Sequence, residues 1–245
     1  MSRFHIIPLT VFCLSLVLFP ACAGKGVRSS QELAQPKTPQ EYKVWLDSAC
    51  SLGRTTKEVK GSVWLKAKSK EASGQFPANV EAKATAEGAE LRLEVTNLLG
   101  GTEAVISVKD QNYRIEIPEQ HKILEQGQVS WGGIPLRWAT ELFMGRIPCP
   151  GSSAEAKFEM DAQGRLVVSV PRTLGSDPER FVYSYRSWAG KPWPEALKWE
   201  RKGSLPLTVD FTFDDPEDRS GIPRKWEAKS ARGEVKARWK DREIK

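Results

Sequence analysis

From Val59 to Lys240 the chain is written almost entirely in a period of two. Val59, Gly61, Val63, Leu65 and Ala67 alternate with polar residues, apart from Trp64. Val80, Ala82, Ala84 and Ala86 alternate with Asn79, Glu81, Lys83 and Thr85, and Leu91, Leu93 and Val95 with Glu90, Arg92, Glu94 and Thr96. Further strand-like runs cover 102–109, 111–117, 154–160, 165–170, 180–187, 195–201, 207–213, 223–229 and 233–240. Successive side chains of a strand point to opposite faces, so each run has one apolar face to bury. Turn signals at Glu87-Gly88, Lys109-Asp110-Gln111 and Ala162-Gln163-Gly164 join several runs as hairpins. About a dozen amphipathic strands in series predict a mostly β fold. The expected form is a single strongly curved antiparallel sheet, an incomplete β-barrel with helices covering or plugging its apolar cavity.

Two segments break the period. Thr38-Pro39-Gln40-Glu41 has a capping residue, Pro at the first helical position and Glu at the third. Tyr42, Trp45, Leu46 and Ala49 then recur at helical spacing until Gly53 stops the run. The second helix is predicted over 134–145, with Pro135 near its start and Gly145 at its end. Ile134, Trp138, Leu142 and Met144 are too apolar for a solvated surface, so this helix is expected across the concave side of the sheet.

The inner face mixes small residues (Ala82, Ala84, Ala86) with large ones (Phe158, Phe211, Phe213, Trp226, Trp239). A run of small inward residues leaves space, and space inside an apolar barrel is a ligand cavity. The expected lining is Val63, Leu65, Ala82, Ala84, Leu91, Leu93, Val95, Ile115, Trp138, Leu142, Phe158 and Phe211. A helix filling the space is the competing reading, and both can hold.

Composition excludes much chemistry. The chain has 245 residues, 40% hydrophobic and 28% charged, which is neither a polytopic membrane protein nor a disordered chain. Its net charge of +6 contains no long basic block, so no nucleic-acid partner is expected. His5 and His121 are the two histidines, and no CxxC occurs among Cys13, Cys22, Cys50 and Cys149. Metal sites, dithiol chemistry and a Ser-His-Asp triad are therefore poor starting points, and no cofactor is expected. Asp214-Asp215, with Glu217 and Asp218, is the one dense carboxylate group, and a solvated turn explains it. Catalysis is not expected.

The N-terminus reads as an address. A basic start and an apolar run over 6–19, too short to span a bilayer, describe a secretory signal. It ends in Leu18-Phe19-Pro20-Ala21-Cys22, which resembles a bacterial lipobox whose Cys22 carries the lipid anchor. With Ala23 next, that resemblance implies the periplasmic face of the outer membrane. The division expected is a signal peptide over 1–21, a lipidated flexible tether over 22–37 and one open-barrel domain over 38–245. In an oxidising compartment Cys50 and Cys149 can pair, and the sequence leaves that pairing open.

Three stretches carry a family resemblance. Leu91-Arg92-Leu93-Glu94-Val95-Thr96-Asn97-Leu98-Leu99-Gly100-Gly101-Thr102-Glu103 resembles the strand and turn of the outer-membrane lipoprotein receptor family LolB. The segment 134–145, with Pro148 after it, is similar to that family's helical element. Ile222-Pro223, Trp226 and 235–239 are similar to its closing strand pair. The resemblance is good over 59–145 and thin over 150–220. It implies a bent barrel with a helical lid, which takes lipoprotein acyl chains from a soluble periplasmic carrier and releases them into the outer-membrane bilayer. It also implies a membrane-inserting leucine, which maps to Leu99 in the turn formed with Leu98. A monomeric chain is expected. An apolar pair among Asn and Gly stands out without the family. Binding of another lipid or amphiphile, and a structural lipoprotein with a filled barrel, remain open beside the receptor reading. Phe76-Pro77, expected in the loop between the first two strands, is a second candidate for a membrane-touching tip, with packing of the loop the favoured reading.

Overall fold

The computed structural model describes residues 34–69, 73–85, 88–97, 99–109, 111–151, 155–171, 177–203, 205–217 and 219–245. The signal segment, Cys22, most of the tether, Ala86, Leu98 and Asp218 lie outside the described residues.

The chain opens with helix α1 (Pro39–Ser51), begun by a reciprocal capping box. Glu41 N donates to Thr38 Oγ1 at 3.3 Å, and Thr38 N donates back to Glu41 Oε2 at 3.3 Å. Six strands follow as a meander: β1 (Glu58–Lys68), β2 (Ser73–Thr85), β3 (Gly88–Thr96), β4 (Thr102–Lys109), β5 (Asn112–Ile117) and β6 (Lys122–Gln128). A two-stranded ribbon, β7 (Ser130–Trp131) and β8 (Ile134–Pro135), leads into helix α2 (Leu136–Phe143). The second meander is β9 (Lys157–Met160), β10 (Leu166–Val170), β11 (Glu179–Trp188), β12 (Lys191–Arg201), β13 (Leu207–Pro216), β14 (Pro223–Ser230) and β15 (Glu234–Ile244).

The two meanders join where the chain's ends meet. β1 pairs antiparallel with β15, from Val59 opposite Ile244 to Lys68 opposite Glu234. The result is one 13-stranded antiparallel sheet in the order β6-β5-β4-β3-β2-β1-β15-β14-β13-β12-β11-β10-β9. Its edges, β6 and β9, do not pair, so the sheet is not closed. The alternation holds as expected: in β13, Val209, Phe211 and Phe213 are buried while Thr208, Asp210 and Thr212 are exposed.

Two expectations shift. Pro135 lies in β8 and caps α2 from outside, so the helix begins at Leu136. Phe76-Pro77 lies inside β2 rather than in a loop, and is half-buried. A strand the periodicity misses, β6, runs through Lys122-Ile123-Leu124-Glu125-Gln126-Gly127-Gln128, where two adjacent aliphatics and a glycine hide the alternation.

The C-terminal ends of the two helices are fastened to each other. Gly53 and Gly145, at φ +64° and +76°, take left-handed conformations just past α1 and α2. A side chain at Gly53 would stand 2.7 Å from the Gly145 carbonyl oxygen. Arg146 donates to the carbonyls of Gly53 (3.1 Å) and Thr56 (2.8 Å) and pairs with Glu141 at 3.2 Å. Cys50 and Cys149 form a disulfide at this junction, with Cα atoms 5.9 Å apart. These ties hold α2 in place across the concave face.

Candidate functional site

The concave face is divided. Beneath strands β9–β13 it is packed with aromatic rings. Trp138 of α2 packs edge-on against Phe181 at 6.4 Å and against Trp199 at 6.3 Å, between ring centroids. Phe181 stacks on Tyr183. Tyr183 donates its hydroxyl to the Pro148 carbonyl (2.8 Å), and Tyr185 donates to the Trp45 carbonyl (3.1 Å). Burial pushes both phenols well above their ordinary value, so they stay protonated donors.

Beneath β3–β6 the concave face is hollow. Leu91, Leu93, Val95, Ala104, Ile106, Val108 and Ile115 wall a cavity of about 590 Å³, with Leu65 and Ala67 of β1 and Phe76 of β2 beside them. Leu136, Ala139, Leu142 and Phe143 of α2 form its roof, and Phe143 meets Trp226 edge-on at 5.0 Å. The size lies within the roughly 300–1,000 Å³ of pockets that bind small organic ligands. Besides indoles, the side chains that bring polar atoms to it are Ser73, Tyr113 and Glu125. Ser73, Leu124 and Glu125 border it and are exposed, so the cavity opens to solvent between the start of β2 and the β6 edge.

The two regions differ in side-chain size. From 88 to 128 the chain contains one aromatic residue, Tyr113. α2 packs directly on β3 and β2, and beside that contact the space is bordered mostly by aliphatic side chains. The strands β11–β13 instead carry the buried rings Phe181, Tyr183, Trp199, Phe211 and Phe213.

The expected lining divides accordingly. Leu65, Leu91, Leu93, Val95, Ile115 and Leu142 border the cavity. Val63, Ala82, Ala84, Trp138, Phe158 and Phe211 do not. Val63 of β1 and Ala82 of β2 are fully buried in the core cluster and do not border the cavity. Ala84 is exposed near the end of β2, where its N–H donates to Lys57 O at 2.9 Å. Trp138 lies one residue, about 100° of helix, before Ala139 and turns toward β11 and β12. Phe158 of β9 and Phe211 of β13 pack into the core without bordering the cavity. Lining residues not expected from the sequence include Ala104, Ile106 and Val108 of β4, Phe76 of β2 and Leu136, Ala139 and Phe143 of α2. For the β4 residues the signal was the shortage of aromatics over 88–128.

The turn after β3 is built around Asn97. Its Oδ1 accepts from Leu99 N (3.0 Å) and Gly101 N (2.9 Å), and its N–H donates to Gly101 O (2.9 Å). This cage presents Leu99 with 97% of its surface exposed. The acidic turn has cationic partners: Asp214 with Arg186 and Lys225, and Glu217 with the buried Arg242. Among the described residues no three His, Cys, Asp or Glu side chains cluster as a metal site, and no helix is long and apolar enough to cross a membrane.

No protein-family model and no curated protein sequence matches the chain. Solved structures do resemble it. A LolA superfamily protein from Nitrosomonas europaea matches with TM-score 0.45 at 8% identity, over 83% of this chain and 93% of that one. A DUF1329 family protein from Desulfovibrio piger matches with TM-score 0.48 at 10% identity, over 83% and 92%. The Mycobacterium tuberculosis lipoprotein LppX matches with TM-score 0.34 at 9% identity, over 82% and 94%. Likeness this distant leaves function to be read from the chain's own geometry.

Proposed function

We propose that this chain is an envelope lipoprotein that holds an acyl chain in the cavity between α2 and strands β3–β6. The observation that carries the reading is the cavity itself: about 590 Å³, walled by aliphatic side chains and open at one edge. An exposed chain of roughly fifteen methylenes costs on the order of 12 kcal/mol in water, at about 0.8 per CH₂. A protein that moves such a chain has to offer it an apolar hollow at every stage. The lipobox-like Leu18-Phe19-Pro20-Ala21-Cys22 supports a tether to the outer membrane, and the LolB-like turn supports a delivery step in which Leu99 enters the bilayer. The donor is then a soluble carrier and the acceptor the membrane. Retention of a different single-chain amphiphile is the second reading, supported by the same hollow without the delivery step. No covalent chemistry is needed for either.

The test separates holding from delivery. Leu99→Glu changes an exposed residue, so stability is expected to move by less than about 0.5 kcal/mol. Acyl-probe binding should be retained, while transfer of an acylated peptide from the protein to liposomes should be lost. Full transfer by this variant would remove the delivery step and leave the holding role.

A further inference from the structure

The cavity's mouth carries one charged side chain, and it is an acid. Glu125 lies on β6 opposite Ile115, which lines the cavity, and it borders the same hollow. No lysine, arginine or histidine borders the cavity among the described residues, although the chain as a whole is cationic at +6. No cation among the described residues pairs with Glu125. Its partner is Tyr113, whose hydroxyl donates to Glu125 Oε1 at 2.5 Å.

The pair is held by a third residue. Gly127 stands directly across from Tyr113 in the β5–β6 ladder. A side chain there would meet the Tyr113 ring at 2.6 Å, so the glycine provides the bed on which the ring lies along β6. Lying that way, the ring brings its hydroxyl to the carboxylate two residues earlier. The hydroxyl occupies one carboxylate oxygen as a donor, leaving a fixed acceptor at the entrance to an otherwise apolar hollow.

Resting on the acyl-binding reading, we infer that this site selects the head of its ligand: single-chain amphiphiles with a cationic or hydrogen-bond-donating head, an amine or ammonium group above all, over those with an anionic head. The chain enters the aliphatic cavity and its amine halts at Glu125. An anionic carboxylate or phosphate at the same depth would stand against a like charge with no cation to offset it. An exposed ion pair contributes little, so the discrimination is modest.

The test uses the full chain with dodecylamine, dodecanol and dodecanoate at neutral pH, each displacing a fluorescent acyl probe. The expected order is amine, then alcohol, then carboxylate, with about tenfold between the ends, attraction and repulsion adding at a solvated site. Glu125→Gln should collapse that span to under about twofold, and Glu125→Lys should reverse it. Tyr113→Phe, which frees the carboxylate to swing, should narrow the span partway. Equal binding of all three by the unaltered protein, or a span unmoved by Glu125→Gln, overturns the inference and leaves the cavity standing. Failure of all three to displace the probe overturns the acyl-binding reading beneath it.

Discussion

Two regions of this sheet are built on the same alternating pattern, yet β11–β13 pack rings against one another and α2, while β3–β6, with β14 and β15 beside them, border a cavity. In both, every second residue is apolar and points inward. The difference is the size of what points inward. Over β11–β13 many inward positions hold large rings, and α2 answers with Trp138, which meets Phe181 and Trp199. Over β3–β5 they hold Leu, Val, Ile and Ala, and α2 answers with Leu136, Ala139 and Leu142, which leaves the space between unfilled. Hydrophobic patterning thus sets which face is inside, while side-chain volume sets whether the inside is a core or a pocket.

The largest expected effect comes from removing a ring on the solid side. Trp199, fully buried, should cost about 4 kcal/mol when replaced by alanine, because the closely packed rings around it cannot collapse into the gap. Ile106→Ala in the hollow wall removes contacts already missing on one side and should cost less than about 2 kcal/mol. Denaturant unfolding of both variants measures the contrast, and equal losses would erase the distinction between the halves.

Adding bulk should invert it. Ala49, fully buried on α1, has no room, so Ala49→Phe is expected to cost about 2–3 kcal/mol by overpacking. Ala104 borders the cavity, so Ala104→Phe should leave stability within about 1 kcal/mol while displacing the acyl chain. Thermal unfolding and probe titration read the two outcomes together.

A smaller effect concerns alkaline pH. Tyr183 and Tyr185 have raised folded-state values, so above the ordinary phenol range, about pH 10, the unfolded chain releases protons that the folded chain keeps. Stability should therefore be complete below that range and fall as pH rises through it. Tyr183→Phe and Tyr185→Phe should each flatten the alkaline slope; a slope unchanged in both variants would show that these phenols are not coupled to folding.

Much of this fold was legible in the period-two runs, because alternation is local and survives in the sequence. Thr38, Pro39 and Glu41 marked the start of α1, and Gly53 and Gly145 the ends of the helices, for the same reason. The edge strand β6 was not legible, since Ile123-Leu124 and Gly127 break its alternation and an edge needs only one paired side. The cavity was legible in part: Leu65, Leu91, Leu93, Val95, Ile115 and Leu142 border it, while the alanines of β2 do not. Small residues suggest space, but space depends on what stands opposite: Ala82 is buried away from the cavity and Ala84 is exposed. The mouth acid, Glu125, and the meeting of Cys50 with Cys149 across 99 positions are products of curvature and long-range pairing. No local pattern encodes them.

The central claim is that the half-sheet facing α2 holds an acyl chain, and saturable binding tests it most directly. Titrating the intact chain with a fluorescent fatty-acyl probe should give a single saturable site that Ala104→Phe abolishes and Ala49→Phe, where it folds, retains. Absence of saturable binding, or equal binding by Ala104→Phe, would contradict the account.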